Sequence, residues 1–107
     1  MDKRLGMLGL AAKAGNVASG GFSTEKAITE GKAYFVIIAE DASDNTKKKF
    51  ENKSRYYGIP YVICGKMDEL GHMIGKEART SLAITDERFA ESFIKKFSPD
   101  GNKRCNE

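Results

Sequence analysis

The densest hydrophobic stretch of the chain is YFVIIA, residues 34–39, which is followed by two carboxylates, Glu40 and Asp41. Apolar and polar positions do not alternate within it. A short apolar run of this kind is typical of a strand that is covered on both faces. We therefore expect a sheet with helices on each side, and this strand near its centre.

Shorter segments predict three further strands, at residues 17–19, 61–64 and 80–85. In the last of these, Leu82 and Ile84 share one face and Ala83 lies on the other. Apolar residues at helical spacing predict five helices around the strands, at about residues 3–14, 21–30, 46–58, 67–74 and 86–97. This order predicts an α/β fold, a three-layer α/β/α sandwich with a four-stranded mixed sheet flanked by helices.

The helical patterns also predict which side chains are buried. In the second helix, Thr24 and Ile28 fall on the inner face together with Ala27, whereas Phe22 points about 160° away from Thr24. In the last helix, Phe89, Phe93 and Phe97 recur at every fourth position and are expected to cover the sheet. In the first helix the predicted buried face comprises Leu5, Met7, Leu8, Leu10, Ala11, Ala12 and Ala14.

The composition fits one globular domain, because 40% of the 107 residues are hydrophobic and 31% are charged. The formal net charge of +3 permits an anionic partner without requiring one. Pro99, Gly101 and several charged residues follow the last predicted helix. We expect a single domain over residues 1–97 and a flexible C-terminal tail over residues 98–107.

Cysteine usage and hydropathy indicate where such a protein would act. Cys64 lies in an apolar run and Cys105 in a polar one, and their spacing indicates neither a disulfide framework nor a zinc site. No apolar stretch approaches the ~20 residues that cross a bilayer, and the amino terminus does not read as a signal peptide. We expect a cytoplasmic protein with no cofactor, no metal and no membrane partner.

Catalytic chemistry has little support in the sequence. The single histidine, His72, lies on the fourth predicted helix, and no serine or cysteine occupies a nucleophile elbow. Glu40 and Asp41 do not make a convincing carboxylate pair, because successive strand side chains point to opposite faces. We expect these two residues to cap the next helix or to orient a loop, and we predict no catalytic residue.

Two features could bind anions. The glycines of Ser19-Gly20-Gly21 precede a helix, where free N–H groups and the helix dipole attract phosphate; a plain turn is the alternative. The third predicted helix carries the run KKK at residues 47–49, followed by Lys53 and Arg55. Such a run is usually a solvated face and is a weak signal for nucleic acid by itself.

Several short motifs also occur in a defined order: LGLAAKAG at 8–15, SG at 19–20 with KAI at 26–28, IAEDAS at 38–43 with NTKKK at 45–49, YGIP at 57–60, ELG at 69–71, and GKE at 75–77 leading to AIT at 83–85. In these residues the chain resembles the ribosomal protein L7Ae/L30e family, and within it the small bacterial L7Ae-like proteins. The resemblance covers about residues 3–97 and implies an L30e-like fold.

The resemblance implies a function in RNA binding. Members of this family recognise kink-turn and related RNA folds with the start of the second helix, the loop after the IAED strand and the loop before the last strand. A non-enzymatic, ribosome-associated protein that binds rRNA or another structured RNA is thus expected. The RNA-binding residues that the resemblance implies are Gly20, Gly21, Phe22, Ser23, Lys26, Glu40, Asp41, Ala78, Arg79 and Thr80.

One part of the family pattern, Gly-x-Asn-Glu-x-x-Lys, is altered in this chain. Gly20 and Lys26 match it, but Phe22 and Ser23 replace the asparagine and glutamate that read guanine edges. Losing a bidentate base contact typically removes about 1–3 kcal/mol of discrimination. Phe22 could instead stack on an unpaired base or fold into a local contact. The alternative function is a protein-interaction or dimerisation module of the same fold that has lost kink-turn recognition.

Overall fold

The computed structural model describes residues 3–97 and, for Lys3, the backbone alone. After a 3₁₀ turn at Lys3–Leu5, the chain forms α1 (Leu8–Lys13), β1 (Val17–Ser19), α2 (Gly21–Thr29), β2 (Phe35–Ile38), α3 (Asp44–Tyr56), β3 (Tyr61–Ile63), α4 (Met67–Met73), β4 (Ser81–Ile84) and α5 (Glu87–Phe97). Each predicted strand and helix is therefore present, in the predicted order.

The four strands form one sheet in the order β1-β4-β2-β3. Strands β2 and β3 are parallel, whereas β4 is antiparallel to both of its neighbours, β1 and β2. Ile37 in β2 lies between Leu82 in β4 and Val62 in β3. The prediction of a mixed four-stranded sheet is confirmed.

The sheet has a separate hydrophobic core on each face. Phe35 and Ile37 of β2 belong to one core, with residues of the 3₁₀ turn, α1, α4 and α5; Val36 and Ile38 belong to the other, with residues of α2 and α3. All four side chains are completely buried. The predicted three-layer α/β/α arrangement follows from this double burial.

Aromatic packing and an N-terminal cap fix the position of α5. The ring of Phe93 stacks on Phe35, with centroids 5.8 Å apart, and Phe97 lies 6.1 Å from the same ring. Asp86 accepts the N–H of Phe89 through Oδ2 at 3.1 Å, so it caps α5. The predicted core role of the α5 phenylalanines is confirmed.

The prediction for the first helix is wrong in part. The chain makes a 3₁₀ turn and then an α-helix, with a turn at Gly6 and Met7 between them. This break resets the rotation per residue, so that Leu8 and Ala11 are buried, while Leu10 is 64% exposed and Ala14 is also exposed. A wheel drawn through one continuous helix cannot reproduce that change of phase.

The loop between α4 and β4 is packed closely against α4. A Cβ atom on Gly71, in the middle of α4, would overlap the carbonyl oxygen of Glu77. The backbone reinforces this contact, because Lys76 N–H donates to Gly71 O at 2.8 Å and Arg79 N–H donates to Met67 O at 3.0 Å. A glycine in α4 thus permits the position of the loop before β4.

Two further observations bear on the sequence predictions. None of the helices within residues 3–97 has the length and apolar content needed to cross a bilayer. In the same range no three His, Cys, Asp or Glu side chains are grouped so that they could hold a metal ion. The tail predicted at residues 98–107 lies outside the described residues, and the single-domain assignment of residues 1–97 remains a prediction.

Replacing Gly71 with alanine should destabilise the fold or displace the loop, because the new methyl group meets backbone rather than a flexible side chain. Overpacking of this kind costs about 1–3 kcal/mol. Denaturant unfolding measures the free energy, and amide NMR shifts of residues 76–80 report the loop. The matched control is Gly21→Ala, whose Cβ has no neighbour within 4 Å; it should be neutral or stabilise by up to about 1 kcal/mol. Equal effects of the two substitutions would contradict the steric argument.

Candidate nucleic-acid interface

One edge of the sheet brings together the start of α2 and the loop before β4. Gly20 N–H donates to Ser81 O and Ala39 N–H donates to Thr80 O, each at 2.9 Å. Between the start of α2 and the loop before β4 lies an open depression of about 400 Å³. It is lined by Ser19, Gly20, Gly21, Phe22, Ser23, Ala78, Arg79 and Thr80. Seven of the predicted RNA-binding residues thus meet in one place, all of the lining except Ser19.

The start of α2 leaves backbone donors available. The backbone of Gly20 has a φ of +91°, which residues other than glycine rarely adopt. No side chain caps the start of the helix. Thr24 N–H bonds to Gly20 O at 2.9 Å, whereas the N–H groups before it have no acceptor within the helix. This end of α2 therefore offers donors and a partial positive charge to an anion.

Phe22 projects from this helix start into solvent. Its side chain is 79% exposed, while Thr24, Ala27 and Ile28 on the other side of α2 are buried. The predicted inner face of α2 is confirmed. Of the two alternatives that the sequence left open for Phe22, folding into a local contact does not agree with this exposure.

Arg79 is held in the depression by the backbone and by Ser19. Its Nε donates to Ser19 Oγ at 3.3 Å, and its Nη1 donates to the carbonyl oxygens of Glu77 and Ala78 at 3.1 and 3.0 Å. Within the described residues, Nη2 makes no hydrogen bond. A guanidinium group has five N–H donors, so the two on Nη2 remain for a ligand.

Ser19 lines the depression and Gly71 supports the loop before β4, but neither is among the predicted RNA-binding residues. The sequence places Ser19 at the end of a predicted strand and in a glycine-rich turn, but its bond to Arg79 joins residues 60 positions apart, which no local pattern reveals. Gly71 enters the sequence prediction only as part of the ELG motif at residues 69–71. Its signal was available, because glycine inside a predicted helix costs about 1 kcal/mol relative to alanine and asks for a packing reason.

Glu40 and Asp41 lie beside the depression but are not part of its lining. Glu40 Oε2 accepts the N–H of Gly65 at 2.9 Å, and Asp41 Oδ1 accepts the N–H of Met67 at 2.8 Å. Asp41 therefore caps α4, not the next helix in sequence, which Ser43 caps. Both carboxylates orient loops as expected, and their contact with RNA remains a prediction.

The lysines of α3 are not a uniform solvated face. Lys47 is turned inward, with its ammonium 3.0 Å from Glu40 O and only 15% of its side chain exposed. Lys49 and Lys53 reach α2 instead, where their ammonium groups lie 2.9 and 3.4 Å from the carboxylate of Glu25. The hydrogen bond from Lys49 is the strongest influence that holds the pKa of Glu25 below its usual value.

Comparisons with known proteins show relatives over most of the chain. The model of the ribosomal protein L7Ae/L30e/S12e/Gadd45 family matches residues 2–94. RNA-binding protein YlxQ of Bacillus subtilis (strain 168) is 44% identical over 88 residues, which are 82% of this chain and 88% of that protein. RNA-binding protein YlxQ of Enterococcus faecium is 40% identical over 90 residues, 84% of this chain and 86% of that one.

Solved structures show the same fold. A Bacillus halodurans protein described as having unknown function superposes with a TM-score of 0.82 at 35% identity, covering 87% of this chain and 94% of that chain. The Giardia lamblia 15.5kD RNA binding protein superposes with a TM-score of 0.75 at 21% identity, covering 90% of this chain and 85% of that chain. With its sequence match spanning nearly the whole described range, this chain belongs to the ribosomal protein L7Ae/L30e/S12e/Gadd45 family.

Proposed function

We propose that the protein is a non-enzymatic RNA-binding protein, which binds structured RNA in the depression between the start of α2 and the loop before β4. The observation that carries this proposal is the meeting of an uncapped helix start, an exposed aromatic ring at Phe22 and the guanidinium of Arg79 in one open depression. The two YlxQ relatives are each named an RNA-binding protein, which supports RNA binding.

Each of these groups suits one part of a nucleotide. The free N–H groups of α2 and the Nη2 of Arg79 can donate to phosphate oxygens, which position an RNA without reading its sequence. Phe22 offers a flat surface to an unpaired base, and such stacking is worth about 1–3 kcal/mol per base. Lys26 is exposed on the same helix, one turn after Phe22. The depression can therefore hold a phosphate and a splayed base together.

The kind of RNA and the place of binding are a further part of the proposal. We propose a kink-turn-like or another structured RNA, bound on the ribosome in the cytoplasm. Support comes from Gly20 and Lys26, which retain two positions of the family pattern. Phe22 and Ser23 lack the side chains that read guanine edges, so binding through phosphate contacts and stacking is favoured over edge recognition.

The first test is a titration of labelled kink-turn RNA at several salt concentrations. Because the contacts are mainly to phosphate, we expect the logarithm of the association constant to fall linearly with the logarithm of the salt concentration. Arg79→Gln should reduce that slope by about one, whereas Phe22→Ala should weaken binding by about 1–3 kcal/mol with little change of slope. Lys95→Gln, a change on α5 away from the depression, is the matched charge control for Arg79→Gln. An absence of binding at low salt, or binding without a salt slope, would refute the proposal.

A second candidate function is a protein-interaction or dimerisation module, and the exposure of Phe22 is the observation that favours it. A large apolar side chain in solvent can mark a protein interface as well as a stacking surface. If Phe22 were part of a dimer interface, Phe22→Ala would lower the mass measured by analytical ultracentrifugation. Under the RNA-binding proposal we expect the same mass for both proteins, with weaker RNA binding only in the variant. Tyr56→Ala, which removes another exposed aromatic ring from α3, is the control.

A further inference from the structure

We propose that the surface between α2 and α3 is a second RNA contact, in which Lys49 and Lys53 bind the phosphate backbone of a strand that leaves the depression at the start of α2. This surface, the α2–α3 seam, consists of Glu25, Lys26, Lys49 and Lys53. The inference rests on the proposed function, since it extends the same RNA footprint to a neighbouring surface.

The geometry of the seam presents two ammonium groups side by side. Lys49 and Lys53 are four residues apart on α3 and therefore lie on one face of that helix. Both reach the same carboxylate, with Nζ–O distances to Glu25 of 2.9 and 3.4 Å. Their side chains are still 49% and 29% exposed. Each ammonium has three N–H donors, and contact with one carboxylate leaves donors free for a phosphate.

The charges of the seam leave it positive. Lys26, Lys49 and Lys53 contribute three positive charges and Glu25 one negative charge, which gives a net charge of +2. The carboxylate of Glu25 is charged at neutral pH like an ordinary glutamate, and hydrogen bonding from Lys49 lowers its pKa further. Glu25 does not neutralise the pair of lysines; it restricts where their ammonium groups lie, which reduces the side-chain ordering that binding would otherwise require.

The seam is also close enough to share a ligand with the depression. Glu25 follows Gly21, the first residue of α2, by four positions, which is about 6 Å along a helix that rises 1.5 Å per residue. Phe22 and Lys26 are four residues apart and so occupy one side of α2, adjacent to Glu25. An RNA strand with a base stacked on Phe22 would therefore reach Lys49 and Lys53 about one turn of α2 further on.

The neighbouring Lys47 shows that this arrangement does not arise from a charge run alone. Lys47 belongs to the same sequence run, but its ammonium bonds to Glu40 O at 3.0 Å and lies 3.8 Å from Asp44. Its side chain is 15% exposed. Lys47 and Lys49 thus contact different neighbours. Lys49 lies with Lys53 beside α2, whereas Lys47 does not.

The test compares the wild type with K49Q/K53Q by fluorescence anisotropy of fluorescein-labelled kink-turn RNA over a range of KCl concentrations. We expect the double substitution to weaken binding and to reduce the salt slope by about two, one for each lost lysine–phosphate contact. The control is K95Q/K96Q on α5, which makes the same change of net charge on the opposite face of the sheet. Its slope should equal that of the wild type.

A third variant separates phosphate contact from a purely structural tie between α2 and α3. E25Q breaks the same ion pairs as K49Q/K53Q but keeps both positive charges, so it should retain the wild-type slope. Equal salt slopes for K49Q/K53Q and K95Q/K96Q would overturn the proposal that the seam binds RNA. A salt slope that E25Q reduces as much as K49Q/K53Q does would also overturn it. In either case RNA binding by the wild type would leave the proposed function standing. An absence of wild-type binding would overturn both.

Discussion

The burial of β2 on both faces is the constraint on which the rest of the fold depends. Its four side chains are removed completely from solvent, and burying each is worth about 1.5–3 kcal/mol. Uncovering one face would expose two of them, at about 3–6 kcal/mol, which is comparable with the total stability of many small domains. Both helical layers are therefore required, with α2 and α3 on one face and α1, α4 and α5 on the other.

The depression that we propose as the RNA-binding site begins where this burial ends, and its shape is held mainly by the backbone. Residues 20 and 81, 39 and 80, and 67 and 79 are joined by main-chain hydrogen bonds of 2.9–3.0 Å. Substitution of exposed side chains leaves such bonds in place, so the shape of the edge does not depend on them. Phe22 and Ser23 can therefore differ from the family pattern while the helix start and the loop before β4 keep their relative positions.

Local sequence patterns predicted those features that depend on neighbouring residues. The inner face of α2, the direction of Phe22 away from that face and the two faces of β4 follow from 3.6-residue and 2-residue periods. The burial of Leu10 was predicted wrongly because a turn at residues 6 and 7 changes the helical phase. Gly71 packs on Glu77, and the α3 lysines turn toward partners in other parts of the chain. The hydrophobic period within α3 or α4 contains no information about these partners. The resemblance, not the periodicity, predicted seven of the eight residues that line the depression.

The replacement of edge-reading side chains changes the kind of recognition that the proposed site can provide. Asparagine and glutamate distinguish bases by their hydrogen bonds, whereas phenylalanine accepts any base that can stack. Specificity must then come from the shape of the RNA, because a phosphate and a splayed base have to reach Arg79 and Phe22 together. The fixed spacing of these groups across the depression favours a folded RNA that already presents both. A positive α2–α3 seam would add affinity without adding base discrimination, so the binding energy would depend strongly on salt while selectivity would depend on RNA structure.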